Sequence, residues 1–70
     1  MPDIATEFGR RVREQRKLKG WTQTDLSVAS GLNRSYLSDV ERGKRNITLR
    51  QAKVVADTLD IPLRELLDGM

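Results

Sequence analysis

The chain has 70 residues, of which 13 are Lys or Arg and 10 are Asp or Glu, and its formal net charge is +3. It contains no cysteine and no histidine, which excludes a disulfide framework, a thiolate metal site and catalysis by a histidine base. A single core barely outweighs chain entropy at this size, so we expect a compact core or support from a partner subunit. No apolar run reaches membrane-spanning length and no signal peptide is evident, which predicts a soluble cytoplasmic protein.

The first helix is predicted over about residues 5–19, and Gly20 ends it. Its apolar face is formed by Ile4, Phe8 and Val12. Gly9 is unfavourable inside a helix, and it indicates either a close approach of another helix or simple tolerance.

The same segment carries a cluster of positive charge between residues 10 and 19. Its cations are Arg10, Arg11, Arg13, Arg16, Lys17 and Lys19. Glu14 is the single acidic residue among them. Such a zone suits a polyanion partner, but a charge run standing alone is typical of a solvated helix face.

A short second helix is predicted over about residues 23–30. Thr22 and Asp25 have the spacing of a capping box at its start, and Gly31 favours the positive φ that ends a helix. Its inward-facing residues are expected to be Leu26 and Ala29.

A third helix begins shortly afterwards. Asn33 can cap it, and Gly43 ends it. Residues 31–33 are too few for a flat antiparallel hairpin and suit a sharp corner instead. This geometry is typical of a helix-turn-helix, predicted here over about residues 22–42, in which the second helix enters the DNA major groove.

Two further helices complete the chain. Thr48 and Gln51 have capping-box spacing and open a helix over about residues 49–59. Its inward residues are predicted to be Ala52, Val55, Ala56 and Leu59. Pro62 is expected at the first helical position of a last short helix within residues 61–68.

That last helix is strongly apolar. Its large apolar residues are Leu63, Leu66 and Leu67. They either close the core or form a dimer interface. The prediction for residues 1–70 is one all-α domain of five helices.

From about Phe8 to Leu67 the sequence resembles the Xre-type helix-turn-helix family of phage repressors and small bacterial regulators. The matching pieces are FGRRVREQRKLKGWTQTDLSVASGLNRSYLSDVERGKRN and ADTLDIPLRELL. The form RSYLSDVERGKRNIT is particularly similar to controller proteins of restriction-modification systems, which are homodimers. The resemblance implies a compact, lambda-repressor-like DNA-binding domain, and the end at Met70 leaves no room for the additional domain of larger repressors.

Three residues are candidates for contacting DNA from the helix-turn-helix itself. Gln23 lies at a helix N-terminus, where free amides favour a phosphate, and the family equivalent is a phosphate contact; the alternative is an exposed helix former. Arg34 has the fork that matches guanine N7 and O6, with a phosphate or solvent as alternatives. Ser35 suits almost any base edge or a phosphate.

Two other residues of the third helix have competing interpretations. Tyr36 can pack half-buried, extend its ring to a thymine methyl group, or do both. Asp39 can accept from cytosine N4, discourage wrong sites or face solvent. In the loop after the helix, Lys44 suits phosphate, and Arg45 and Asn46 suit phosphate, a base edge or a narrow minor groove, with a plain surface turn as the alternative.

The resemblance also implies a structural ion pair. Glu41 is predicted to face inward, and in the family the matching glutamate pairs with an arginine of the first helix, which here is Arg16. We assign this pair to structure.

These features predict a sequence-specific, double-stranded-DNA-binding transcriptional regulator that acts as a homodimer on a palindromic operator. The resemblance implies a controller protein that represses or activates by occluding or contacting RNA polymerase, in the bacterial cytoplasm and at the nucleoid when bound to DNA. The alternatives are a phage or plasmid repressor, an antitoxin, or a protein-interaction module with the same fold. No nucleophile-base pair, metal set or phosphate loop supports an enzyme, and no cofactor is expected.

Overall fold

The computed structural model describes residues 3–69, and this part of the chain contains five helices and no strand. The helices are α1 (Ile4–Leu18), α2 (Gln23–Ser30), α3 (Arg34–Glu41), α4 (Leu49–Thr58) and α5 (Leu63–Leu67). The all-α prediction is therefore confirmed. None of the described helices has the length and apolarity needed to cross a membrane.

Local capping signals explain where the helices begin. In the capping box of α2, Thr22 N donates to Asp25 Oδ2 at 2.8 Å and Asp25 N donates to Thr22 Oγ1 at 3.0 Å. At α4 only half of the predicted box forms, with Gln51 N donating to the Thr48 hydroxyl at 3.1 Å. Pro62 was predicted at the first helical position of α5. Its ψ of 140° is extended, so it is instead the N-cap residue, one position before the helix begins.

The core lies between all five helices, with α1 packed against α3 and α5, and α4 packed against α2 and α5. It is formed by Phe8, Val12, Leu26, Leu37, Val40, Ala52, Val55, Ala56, Leu59 and Leu66. Two inward predictions were wrong. Ile4 is 67% exposed because it lies in the first turn of α1, at the edge of the core, and Ala29 is exposed near the end of α2.

Two glycines allow α1 to approach both the C-terminal end of α3 and the turn after it. A Cβ atom at Gly9 would lie 2.1 Å from the Val40 carbonyl oxygen, so the close-approach interpretation of this glycine is correct. Gly43 has a φ of +72°, and a Cβ atom there would lie 2.7 Å from the Cα of Thr6. Backbone therefore packs directly on backbone at this joint.

A buried ion pair joins the same two helices. Arg16 Nε donates to Glu41 Oε2 at 2.8 Å, and Arg16 Nη2 donates to Glu41 Oε1 at 2.9 Å. A third donor, Arg16 Nη1, lies 2.7 Å from the carbonyl oxygen of Trp21. The side chains are only 9% and 2% exposed. The hydrogen bonds to Glu41 raise the pKa of Arg16 above its ordinary value, although burial acts in the opposite direction.

We expect Gly9→Ala to lower the free energy of unfolding by about 1–3 kcal/mol, because the added methyl group clashes with backbone that cannot rotate away. Alanine is the better helix former, so the substitution would instead raise the stability if Gly9 were merely tolerated at this position. Lys17→Ala, at an exposed position of α1, is the matched control. Urea unfolding of both variants measures the difference.

We expect Arg16→Ala and Glu41→Ala each to destabilise the protein by about 3–5 kcal/mol, because each leaves a buried charge without its partner. Arg10→Ala is the control, since Arg10 pairs with Glu7 and Glu14 on the exposed surface of α1. Thermal unfolding followed by circular dichroism provides the comparison. Unchanged midpoints in both buried-pair variants would contradict the structural assignment of the pair.

Candidate nucleic-acid interface

The corner between α2 and α3 is fixed by short-range contacts. Gly31 ends α2 with a φ of +77°, a backbone conformation that L side chains rarely adopt. The Ser27 hydroxyl donates to the Leu32 carbonyl oxygen at 2.5 Å. Leu26 and Leu37, one from each helix, are completely buried. The predicted sharp corner is therefore present, and its serine ties α2 to the turn.

The first turn of α3 presents polar side chains to solvent. The Asn33 side chain caps the helix by accepting from Ser35 N at 2.8 Å and from Tyr36 N at 3.3 Å. Arg34 and Ser35 are exposed, whereas Tyr36 is half-buried against the core. This is the end of α3 at which a helix-turn-helix contacts base edges.

The rest of α3 is divided between core and surface. Its buried residues are Leu37, Val40 and Glu41. Asp39 is half-buried and accepts from Arg42 Nη2 at 3.0 Å, in an ion pair that the sequence prediction missed. Arg42 contacts only Oδ1 of this carboxylate, so Oδ2 keeps its capacity to accept from a base while the neighbouring guanidinium offsets the negative charge.

Gln23 lies beside the buried ion pair. Its Nε2 atom donates to Glu41 Oε1 at 3.2 Å, and its side chain is half-buried. A carboxylate only accepts hydrogen bonds, so the nitrogen of the amide must face it, and this nitrogen has a second hydrogen to donate. Gln23 is thus attached to the scaffold, a contact that its position in the sequence did not indicate.

The loop after α3 brings two predicted site residues together. Lys44, Arg45 and Asn46 are all exposed. Lys44 N donates to the Asp39 carbonyl oxygen at 2.9 Å, which holds the start of the loop against the end of α3. The guanidinium carbon of Arg45 lies 5.0 Å from the centroid of the Tyr36 ring. The loop is therefore attached to α3 at two points, Asp39 and Tyr36.

Part of the basic zone in residues 10–19 is paired with acidic residues of the protein. Arg10 pairs with Glu7 and Glu14, Arg11 pairs with Glu7 at 3.2 Å, and Arg16 is buried. The hydrogen bond from Arg10 lowers the pKa of Glu7 below its ordinary value. Half of the zone is thus compensated within the protein.

By contrast, three cations at the helix-turn-helix surface have no acidic partner within residues 3–69: Arg34, Lys44 and Arg45. This surface retains its positive charge and its free N–H donors. A phosphate backbone is the polyanion that such a surface suits.

The three predicted dimer residues differ in how much of each side chain is accessible at the surface. Leu66 is 1% exposed and belongs to the core of its own protomer, so it has no surface to offer a partner. Leu63 and Leu67 are half-buried. Leu67 lines an open groove together with Ile4 and Leu49, which are 67% and 74% exposed. The sequence pattern assigns Ile4 to the apolar face of the first helix and gives no assignment for Leu49, so it does not predict this exposed apolar groove.

Comparison with known proteins identifies the family to which this chain belongs. A helix-turn-helix family profile matches residues 12–66. The HTH-type transcriptional regulator SlrR of Bacillus subtilis is 44% identical over 63 residues, which are 89% of this chain but only 41% of SlrR. The restriction-modification controller protein C.AhdI of Aeromonas hydrophila has a crystal structure with a TM-score of 0.86 and 48% identity, covering 89% of this chain and 94% of C.AhdI. The controller protein C.Esp1396I, crystallised as a tetramer with its natural 35-base-pair operator, has a TM-score of 0.86 and 26% identity, covering 97% and 90% of the two chains. This chain belongs to the helix-turn-helix family.

Proposed function

We propose that this protein is a sequence-specific transcriptional regulator that binds double-stranded DNA by inserting α3 into the major groove. The observation that carries the proposal is the division of α3 into a buried side and a polar side, with Arg34 at its start and Lys44 and Arg45 in the loop after it all unpaired within the described residues. A helix used only for packing has no need of three uncompensated cations at one end and in the following loop. The operator complex of the related C.Esp1396I supports the same use of the fold.

The exposed residues divide into two roles. Arg34, at the start of α3, makes the base-specific contact, because its planar fork matches the acceptor pair of guanine. Gln23 and Lys44 bind phosphates, and Gln23 uses the amide hydrogen that Glu41 does not occupy. Arg45 and Asn46 bind phosphate or a groove edge beside α3. Ser35 and Asp39 adjust the fit at the groove and add little affinity.

The proposed regulator acts as a homodimeric controller protein of a restriction-modification system. Its two α3 helices enter successive major grooves about 34 Å apart, on one face of a palindromic operator. The similarity to C.AhdI supports this assignment. Leu63 and Leu67 of α5 are the candidate dimer contacts. Bound at a promoter in the bacterial cytoplasm, the dimer occludes or contacts RNA polymerase.

Selection of binding sites from a pool of random duplexes tests the function directly. We expect the selected sites to share a palindrome whose half-sites lie about 10 base pairs apart, centre to centre, or a multiple of that spacing. Affinity should fall steeply as salt rises, because cations on the protein replace counterions on the DNA. Absence of salt-dependent duplex binding would favour the alternative of a protein-interaction module.

Two substitutions separate base contacts from phosphate contacts. We expect Arg34→Ala to cost about 1–3 kcal/mol of binding free energy on the selected site and to relax the preference at one base pair. Gln23→Ala should weaken binding to selected and random duplexes alike. Fluorescence anisotropy with both duplexes measures the two patterns.

Arg10→Ala is the matched control, since Arg10 is an exposed arginine of α1 that pairs with Glu7 and Glu14 and belongs neither to the helix-turn-helix nor to the candidate dimer contacts. It should change neither affinity nor preference. Because Gln23 also contacts Glu41, the folded fraction of each variant is checked by circular dichroism. Equal losses on both duplexes for Arg34→Ala would contradict its role in base recognition.

A further inference from the structure

Tyr36 and Arg45 make a contact that the proposed function leaves unexplained. Tyr36 lies in the first turn of α3 and packs against the core, and the guanidinium carbon of Arg45 is 5.0 Å from its ring centroid. This distance is within the range of a cation–π interaction, which draws a guanidinium to the electron-rich face of an aromatic ring. The ring therefore connects a loop side chain to the rigid part of the domain.

The loop offers Arg45 no other polar support. Residues 44–48 have no regular secondary structure, and Arg45 itself is exposed. Among residues 3–69, no hydrogen bond or ion pair holds its side chain. A free arginine side chain has large rotamer entropy, and this entropy is lost when the side chain is fixed on a ligand. Contact with a fixed ring reduces the entropy before a ligand arrives.

We propose that Tyr36 is a positioning residue that preorganises Arg45 for DNA. The inference rests on the proposed function, since DNA is the ligand that the positioned guanidinium binds. The contact with the ring uses none of the Arg45 N–H groups in a hydrogen bond to residues 3–69, so these groups can donate to a phosphate or a base edge. Tyr36 thus acts on binding through Arg45, and its ring rather than its hydroxyl is the group that matters.

The neighbouring cation supplies an internal comparison. Lys44 is exposed in the same loop, one residue earlier, and has no aromatic ring against it in the described structure. If Tyr36 only supported the folded loop, its removal would affect the contributions of Lys44 and Arg45 alike. If Tyr36 positions the guanidinium, the coupling is confined to Arg45.

A double-mutant cycle tests the proposal on the full chain. The variants are Tyr36→Leu, Tyr36→Phe, Arg45→Gln, Lys44→Gln and the two doubles that combine Tyr36→Leu with each loop change. Affinity is measured by fluorescence anisotropy for the tightest duplex that the wild-type protein selects from a random pool. Circular dichroism establishes that each variant is folded at the assay temperature. If Tyr36→Leu is not folded, Tyr36→Met replaces it in the single variant and in both doubles.

We expect Tyr36→Leu to weaken binding about two- to fivefold when Arg45 is present, and to have no further effect when Arg45 is already Gln. Tyr36→Phe should bind like the wild type because it keeps the ring. The effects of Tyr36→Leu and Lys44→Gln should multiply, since these two side chains act independently.

Three results would overturn the proposal. Equal coupling of Tyr36→Leu to Lys44→Gln and to Arg45→Gln would show that Tyr36 only supports the folded loop. Multiplication of the Tyr36→Leu and Arg45→Gln effects would show that the two residues act separately on DNA. An equal loss in Tyr36→Phe and Tyr36→Leu would assign the effect to the hydroxyl group as a direct DNA contact. In all three cases the wild-type protein still binds its selected duplex, whereas failure of the proposed function appears as absence of wild-type binding to any duplex.

Discussion

The contact between α1 and the C-terminal end of α3 is the constraint on which the rest of the structure depends. An isolated helix of eight residues such as α3 is not stable in water, so its conformation and its direction must come from packing. Gly9 and Gly43 allow backbone-level contact along this joint. The Arg16–Glu41 pair then fixes the helices in register, because two parallel hydrogen bonds between planar groups tolerate little displacement.

The same joint connects the fold to the proposed binding surface. Glu41 accepts from Arg16 of α1 and from Gln23 of α2, and Arg16 also donates to the carbonyl oxygen of Trp21, just before α2. Three helices thus meet at one carboxylate. A buried carboxylate of this kind has to be fully hydrogen-bonded, and no buried side-chain polar atom in the described residues lacks a partner. The arrangement restrains the N-terminus of α2, which carries Gln23, and the C-terminal end of α3, after which the loop with Lys44 and Arg45 begins.

The net positive charge of this protein is small, so the position of each unpaired cation matters. A net charge of +3 on 70 residues is modest, and three of the six cations in residues 10–19 pair with Glu7, Glu14 and Glu41. At the proposed binding surface, Arg34 at the start of α3 and the loop residues Lys44 and Arg45 have no acidic partner within residues 3–69. Because uncompensated charges interact with a polyanion over about a Debye length, roughly 8 Å at physiological salt, position matters more here than the total.

The sequence by itself determined the elements and their order. Helix ends depend on residues within one turn, so Thr22, Asn33 and Gly31 could be interpreted without knowing anything else about the fold. Apolar spacing likewise predicted most of the core. The Xre resemblance predicted the Arg16–Glu41 pair, whose members lie 25 positions apart, a separation at which residue pattern alone carries no information.

Only the tertiary structure decided which partners the polar side chains find. It placed Gln23 against Glu41, Arg45 over Tyr36 and Leu66 in the core. None of these outcomes follows from local spacing, because each depends on how segments from different parts of the chain pack together. Two residues with the same helical phase can be buried or exposed according to where the neighbouring helix ends. The sequence therefore specifies which residues can form the surface, and packing determines which of them are free to bind.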